Sequence, residues 1–147
     1  MKISEKGLEL IKKYEGLRLS AYLCPKGKLT IGFGHTGMDV KMIGQKISVD
    51  EANSLLMQDI ARFESSVNEL VHVTLTQNQF DALVSFAFNL GANALKGSTL
   101  LKKLNTDDKH GALAEFIRWN KVGSMPYQGL TARREAEQEL FHGGKLC

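Results

Sequence analysis

Apolar residues recur at helical spacing along most of the chain, with polar capping residues at the start of each run. In "SVDEANSLLMQDIARFESSVNEL" the stripe Ala52, Leu55, Leu56, Ile60, Phe63, Val67 and Leu70 is continuous, which predicts a long amphipathic helix. Ser48 and Glu51 have capping-box spacing at its start, and Thr76 and Gln79 repeat the signal before "FDALVSFAFNLG". That second run is apolar nearly all round and predicts a buried central helix. Ser4 is placed to cap a first helix, with Ile3 and Leu8 as a hydrophobic staple and Gly16 as its stop. Ser98 predicts a short helix through Asn105, and Asp107 or Asp108 the start of "KHGALAEFIRWNK". "GSMPYQG" reads as a loop, and "LTARREAEQELF" as a last helix stopped by Gly143-Gly144.

One early stretch departs from this pattern. "LSAYLCPKGKLTIGF" reads as a β-hairpin, with Cys24, Pro25 and Gly27 at the first, second and fourth positions of its turn. Gly32 and Gly34 leave a length of backbone bare, where a ligand or another segment has room to approach. Several helices and one early hairpin give an α+β fold, mostly helical, with the sheet confined to the N-terminal third. A small hairpin lobe and a larger helical lobe are expected, with the long helix as a strut between them and a ligand cleft at their junction.

Composition narrows the class. The 147 residues suit one domain, and 43 % hydrophobic with 24 % charged residues is ordinary for a soluble protein. No apolar run is long enough to cross a bilayer, and "MKISEKGLEL" lacks the apolar core of a secretory signal. A cytoplasmic start is therefore expected. The net charge of +3 favours anionic partners. Lys and Arg are spread along the chain, however, rather than clustered as in a nucleic-acid module. Two cysteines make no disulfide framework, and neither a zinc-binding spacing nor a phosphate-binding loop occurs. No cofactor or metal is implied.

The candidate chemistry centres on Glu15. A carboxylate in the last turn of a helix faces unpaired carbonyls and the negative dipole end, which disfavours ionisation and suits a general acid. Glu15, Cys24 and Thr30 form E-x8-C-x5-T across a helix end, a turn and a strand. "YEGLRLSAY" and "TIGFGHTG" around this triad resemble the phage-type lysozymes, the endolysins of glycoside hydrolase family 24. The likeness extends through "SVDEANSLLMQDI", "QFDALVSFAFNLG", "GSTLL", "FIRWNK" and "GLTARREAE", in order over nearly the whole chain. It implies a single lysozyme-like domain over 1–147, with a small lobe at about 14–50 and a helical lobe at about 72–147 plus the N-terminal helix.

The resemblance also implies roles. The family pattern is E-x8-D-x5-T, so Glu15 matches the general acid, Thr30 the hydroxyl that holds the attacking water, and Cys24 takes the aspartate's place. A thiolate there serves either as the base that activates water or as a nucleophile, and two flanking groups with a gap for water favour inversion. Phe88, Asn89, His35, Gly34 and Arg133 are the implied substrate contacts, with His35 also a structural residue near the cleft floor. Arg133 and Arg134 are equally readable as a surface pair with Glu137 or Glu139. The implied activity is a muramidase cutting the β-1,4 bond between N-acetylmuramic acid and N-acetylglucosamine. Its partners are peptidoglycan strands, with no nucleic acid and no stable membrane insertion. A monomer is expected, held in the host cytoplasm until release to the wall. A non-catalytic wall-binding module, and a cysteine-dependent amidase or peptidase pairing Cys24 with His35, are the alternatives. Cys24 also makes activity sensitive to oxidation, with Cys147 a conceivable bridging partner.

Overall fold

The computed structural model describes residues 1–143, so Cys147, with any bridge from it to Cys24, and Gly144 lie outside the described residues. Helix α1 (Glu5–Glu15) starts after Ser4, whose carbonyl accepts the Leu8 N–H at 2.9 Å. The Ser4 hydroxyl was expected to cap this helix and instead donates to Asp81, which also accepts the Ser4 N–H at 3.0 Å. The Asp81 side chain is fully buried and needs donors, and the Ser4 hydroxyl and N–H supply two of them.

Strands β1 (Arg18–Leu23) and β2 (Leu29–Gly32) pair antiparallel, with Tyr22 opposite Thr30 and Leu23 opposite Leu29. The segment 44–47 lies along β1, through Ala21 N–H to the Gln45 carbonyl (2.8 Å) and Ile47 N–H to the Leu19 carbonyl (3.0 Å). Helix α2 (Val49–Leu70) opens with both capping-box bonds, 3.1 Å each, and buries Ala52, Leu56, Ile60 and Val67 as its stripe requires.

The chain divides into two units, Ile11–Arg62 and a second made of Met1–Leu10 with everything from Phe63 onward. The first holds the hairpin, whose small core is Ala21, Ile31 and Val40 with Leu29, Ile47 and Leu55 packed on it. In the second, α3 (Gln77–Leu90) carries the Thr76–Gln79 capping box and is buried without a break from Phe80 to Ala87. Helices α4 (Ala92–Lys96), α5 (Thr99–Asn105) and α6 (Lys109–Glu115) follow, then α7 (Gln128–His142), which packs on α3. Ser98 and Asp108 cap α5 and α6 as expected. Phe86 meets Phe116 and Trp119 edge-on, both with ring centres 5.6 Å apart, so Trp119 packs between elements.

Three details correct the sequence reading. The short α4 was missed, and α6 ends at Glu115 in a 3-10 turn, Phe116–Arg118, rather than continuing through the next residues. "GSMPYQG" is not all loop, because β3 (Lys121–Val122) and β4 (Met125–Pro126) pair around Gly123 at φ +63°. The sheet is therefore not confined to the N-terminal third. These two-residue strands are exposed on both faces, so they carry no alternation to detect. The architecture is α+β and mostly helical, as expected.

Candidate active site

Glu15 ends α1 because Gly16 adopts φ +71° and returns its N–H to the Lys12 carbonyl at 3.0 Å. The half-buried Glu15 side chain lies over Gly34. A Cβ at Gly34 would stand 2.5 Å from Glu15 Oε1, so any other residue there would displace the carboxylate. Gly34 belongs to a tight turn in which Ile31 and His35 exchange both backbone hydrogen bonds, 2.9 and 2.8 Å. Gly32 and Gly34 take φ +67° and +76° within it.

Cys24 sits at the opposite end of β2. The predicted turn forms, with Gly27 N–H on the Cys24 carbonyl (2.8 Å), Cys24 N–H on the Lys28 carbonyl (2.9 Å) and Gly27 at φ +79°. The half-buried thiol is free and is held below its ordinary pKa. The Lys28 N–H is the main cause, burial opposes it, and the Lys26 N–H, the Thr30 hydroxyl and the Lys28 charge add to it. Thr30 is buried and donates its one proton to the Lys28 carbonyl at 3.0 Å. Turned toward sulfur, the same proton stabilises the thiolate.

His35 is buried between two carboxylates. Nδ1 lies 2.8 Å from Asp59 Oδ2, and Nε2 lies 2.9 and 3.2 Å from the Asp39 oxygens. Arg62 in turn donates to Asp59 Oδ1 at 3.2 Å. Burial alone would push the imidazole's pKa down, but the bonds to Asp39 and Asp59 outweigh it and hold it above its ordinary value. Both ring nitrogens are taken, so none is left for Cys24 or for a saccharide. This removes the geometric basis of the Cys–His alternative. Asp39 and Asp59 were not singled out from the sequence. Asp59 beside Ile60 on the apolar stripe of α2 was the available signal, since a carboxylate on a buried face needs a partner.

In the other unit, Phe88 is half-buried and meets Phe63 edge-on at 5.4 Å, and Asn89 Oδ1 accepts from Arg134 at 2.9 Å. Arg133 and Arg134 do not form a surface pair. Arg133 is 3 % exposed and Arg134 and Glu137 are fully buried. Glu137 Oε2 accepts from Ser85 (2.5 Å) and Arg134 (3.1 Å), and Arg133 Nε lies 3.5 Å away. Arg134 Nε is 2.7 Å from Glu137 Oε1 as an ion pair without hydrogen-bond alignment. Burial pushes the Glu137 carboxyl up, against the pull of both arginines. Among the described residues, no group of three or more His, Cys, Asp or Glu is placed to hold a metal ion.

The family model for phage lysozyme matches residues 12–137. The chain belongs to the phage lysozyme family. It is 50 % identical over 145 residues to an endolysin of Acyrthosiphon pisum secondary endosymbiont phage 1, covering 96 % of this chain and 98 % of that one. Among solved structures, the endolysin from Escherichia coli O157:H7 phage FAHEc1 is similar at TM-score 0.91 and 38 % identity, covering 97 % of this chain and 94 % of the other. The muramidase domain of SpmX from Asticaccaulis excentricus is similar at 0.87 and 40 %, covering 95 % and 97 %. The chain is thus a lysozyme-type hydrolase of peptidoglycan. Among the described residues, no helix of this lysozyme is long and apolar enough to cross a membrane.

Proposed function

We propose that this lysozyme is an endolysin muramidase, hydrolysing the β-1,4 bond between N-acetylmuramic acid and N-acetylglucosamine with inversion. The observation that carries the reading is the grouping on one hairpin and its following turn. Cys24 N–H and the Thr30 hydroxyl share the Lys28 carbonyl at one end of β2, and the Glu15 carboxyl lies over Gly34 just past the other. A similar chain at 40 % identity is a muramidase domain.

Glu15, protonated, gives its proton to the glycosidic oxygen as the C1–O bond breaks. A water held by Thr30 attacks C1 from the opposite face, and the Cys24 thiolate takes the proton that water loses. The cycle closes when Glu15 regains a proton from solvent and Cys24 loses one. The lowered thiol pKa supports the base role, because it enlarges the thiolate fraction at neutral pH. Phe88 and Asn89 suit an apolar sugar face and an N-acetyl group. The reading extends to a monomer that meets the glycan strands after release from the host cytoplasm.

Clearing of bacterial walls tests it. E15Q is expected to lower the rate by about 10²- to 10⁴-fold, and the released ends to be reducing sugars of inverted anomeric configuration by NMR. Released amines, or an E15Q enzyme as active as the parent, would reject the assignment.

A further inference from the structure

The face of the first hairpin that carries Thr30 holds a second pair of interacting side chains. Ala21 and Ile31 point into the small core, so strand alternation sets Tyr22 and Thr30 on the opposite face. They are direct partners across the ladder, where facing side chains approach within about 4.5–5.5 Å at Cβ. Thr30 is 4 % exposed although its face is not the one that meets this core. The residue directly opposite is Tyr22, half-buried and aromatic.

That ring is itself held. The Arg18 guanidinium lies over Tyr22, 4.4 Å from the ring centre. A regular strand sets residues four apart at about 13 Å between Cα atoms. The register irregularity between Arg18 and Tyr22 and the length of the two side chains close the gap.

The consequence falls on the Thr30 hydroxyl. It reaches the Lys28 carbonyl at 3.0 Å, the same oxygen that accepts the Cys24 N–H at 2.9 Å, and so stands at the mouth of the Cys24 turn. Other staggered positions of the threonine carry the hydroxyl away from both Lys28 and the sulfur. A ring fixed across the ladder opposes that rotation by contact. We infer that Tyr22, braced by Arg18, is a positioning residue that holds the Thr30 hydroxyl against Cys24. The inference rests on the reading of Cys24 and Thr30 proposed above.

Alkylation of Cys24 by iodoacetamide, followed across pH in a C147S background, reads this contact without substrate. Y22A slows alkylation near neutral pH by about 3- to 10-fold and moves its midpoint upward, because the thiolate loses a donor. Y22F keeps the ring and restores the parent profile. R18Q, at an exposed position with little risk to folding, gives a smaller change of the same sign, about 2- to 5-fold for a lost exposed cation–ring contact. On T30V neither Y22A nor R18Q has a further effect, because the residue through which they act is gone. With peptidoglycan, Y22A lowers kcat by about 10-fold while KM stays within about twofold. Profiles of Y22A and R18Q that overlay the parent's, or a Y22A effect undiminished on T30V, overturn the inference. An E15Q enzyme that still cleared walls would reject the catalytic reading instead, and the alkylation profile would still decide the role of Tyr22.

Discussion

His35 Nδ1 lies 2.8 Å from Asp59 Oδ2, tying the turn after β2 to the middle of α2, while Asp39 holds the other nitrogen. The folded state therefore prefers the imidazolium, and its pKa stands above the ordinary 6.5. Stability from this pairing is complete below the unfolded value and is lost as pH rises through the folded one. Asp39, lowered from 3.8 by His35, acts at the acid end, where its contribution is lost as pH falls through its folded pKa. D59N is expected to cost about 3 kcal/mol in mildly acidic buffer and clearly less at about pH 9. Thermal melts of both proteins across pH check this, and a gap in Tm that does not change with pH would contradict it.

The base proposed at position 24 implies a second pH dependence. With a thiolate as base, kcat/KM rises with pH through the Cys24 pKa, which lies below 9.0. C24D puts a carboxylate there, and the ascending limb should move to lower pH by about 3 units or more. C24S offers no base in this range and should lower the rate by about 100-fold or more. Initial clearing rates across pH for the three enzymes give the answer. A shared ascending limb would exclude sulfur as the base.

The parts of this molecule that could be read from its sequence are those written locally. Ser48 with Glu51, and Thr76 with Gln79, close capping boxes within four residues, and the Cys24–Gly27 turn needs only Pro25 and a glycine at positive φ. What escaped depends on distant partners. Asp59 meets His35 across 24 positions, and Glu137 meets Ser85 across 52, so nothing near either residue states that it is buried. Arg133 and Arg134 read as a solvated pair because arginines usually are. The five residues of α4 and the two-residue strands of the second hairpin are too short to display a period. For the candidate site, Glu15, Cys24 and Thr30 were singled out by their spacing and its likeness to the family pattern, whereas the acceptor of the Thr30 proton, the Lys28 carbonyl, appears only in three dimensions.

The buried Arg133–Arg134–Glu137 cluster and the pair of exposed Arg118 with buried Glu115 separate two kinds of ion pair. Arg134 is fully buried on Glu137, Asn89 and the Trp119 carbonyl. Arg118 meets Glu115 at 2.9 Å with its own side chain 76 % exposed and that of Glu115 6 % exposed, and Lys103 lies 3.8 Å from the same carboxylate. R134M leaves a buried carboxylate short of its main partner and should cost about 3–5 kcal/mol, whereas R118A, which leaves Glu115 with Lys103, should cost about 1–2 kcal/mol. Urea unfolding of each variant measures the difference. Equal costs would mean that the fully buried cluster adds no more than a pair with one exposed partner.

Gly34 tests whether Glu15 acts from where it stands. Alanine at a positive φ costs about 1–2 kcal/mol whatever surrounds it, and both Gly34 at +76° and Gly123 at +63° carry that cost. Their surroundings differ. A Cβ at Gly123 meets nothing within 4 Å, while one at Gly34 stands 2.5 Å from Glu15 Oε1 and displaces the carboxyl. G123A and G34A should therefore lose similar stability in thermal melts. Only G34A should lose lytic activity, by about 10- to 100-fold for a carboxyl moved by an ångström or so. If the two variants cleared walls equally well, the proton donor would have to reach the sugar from some other place than its seat over Gly34.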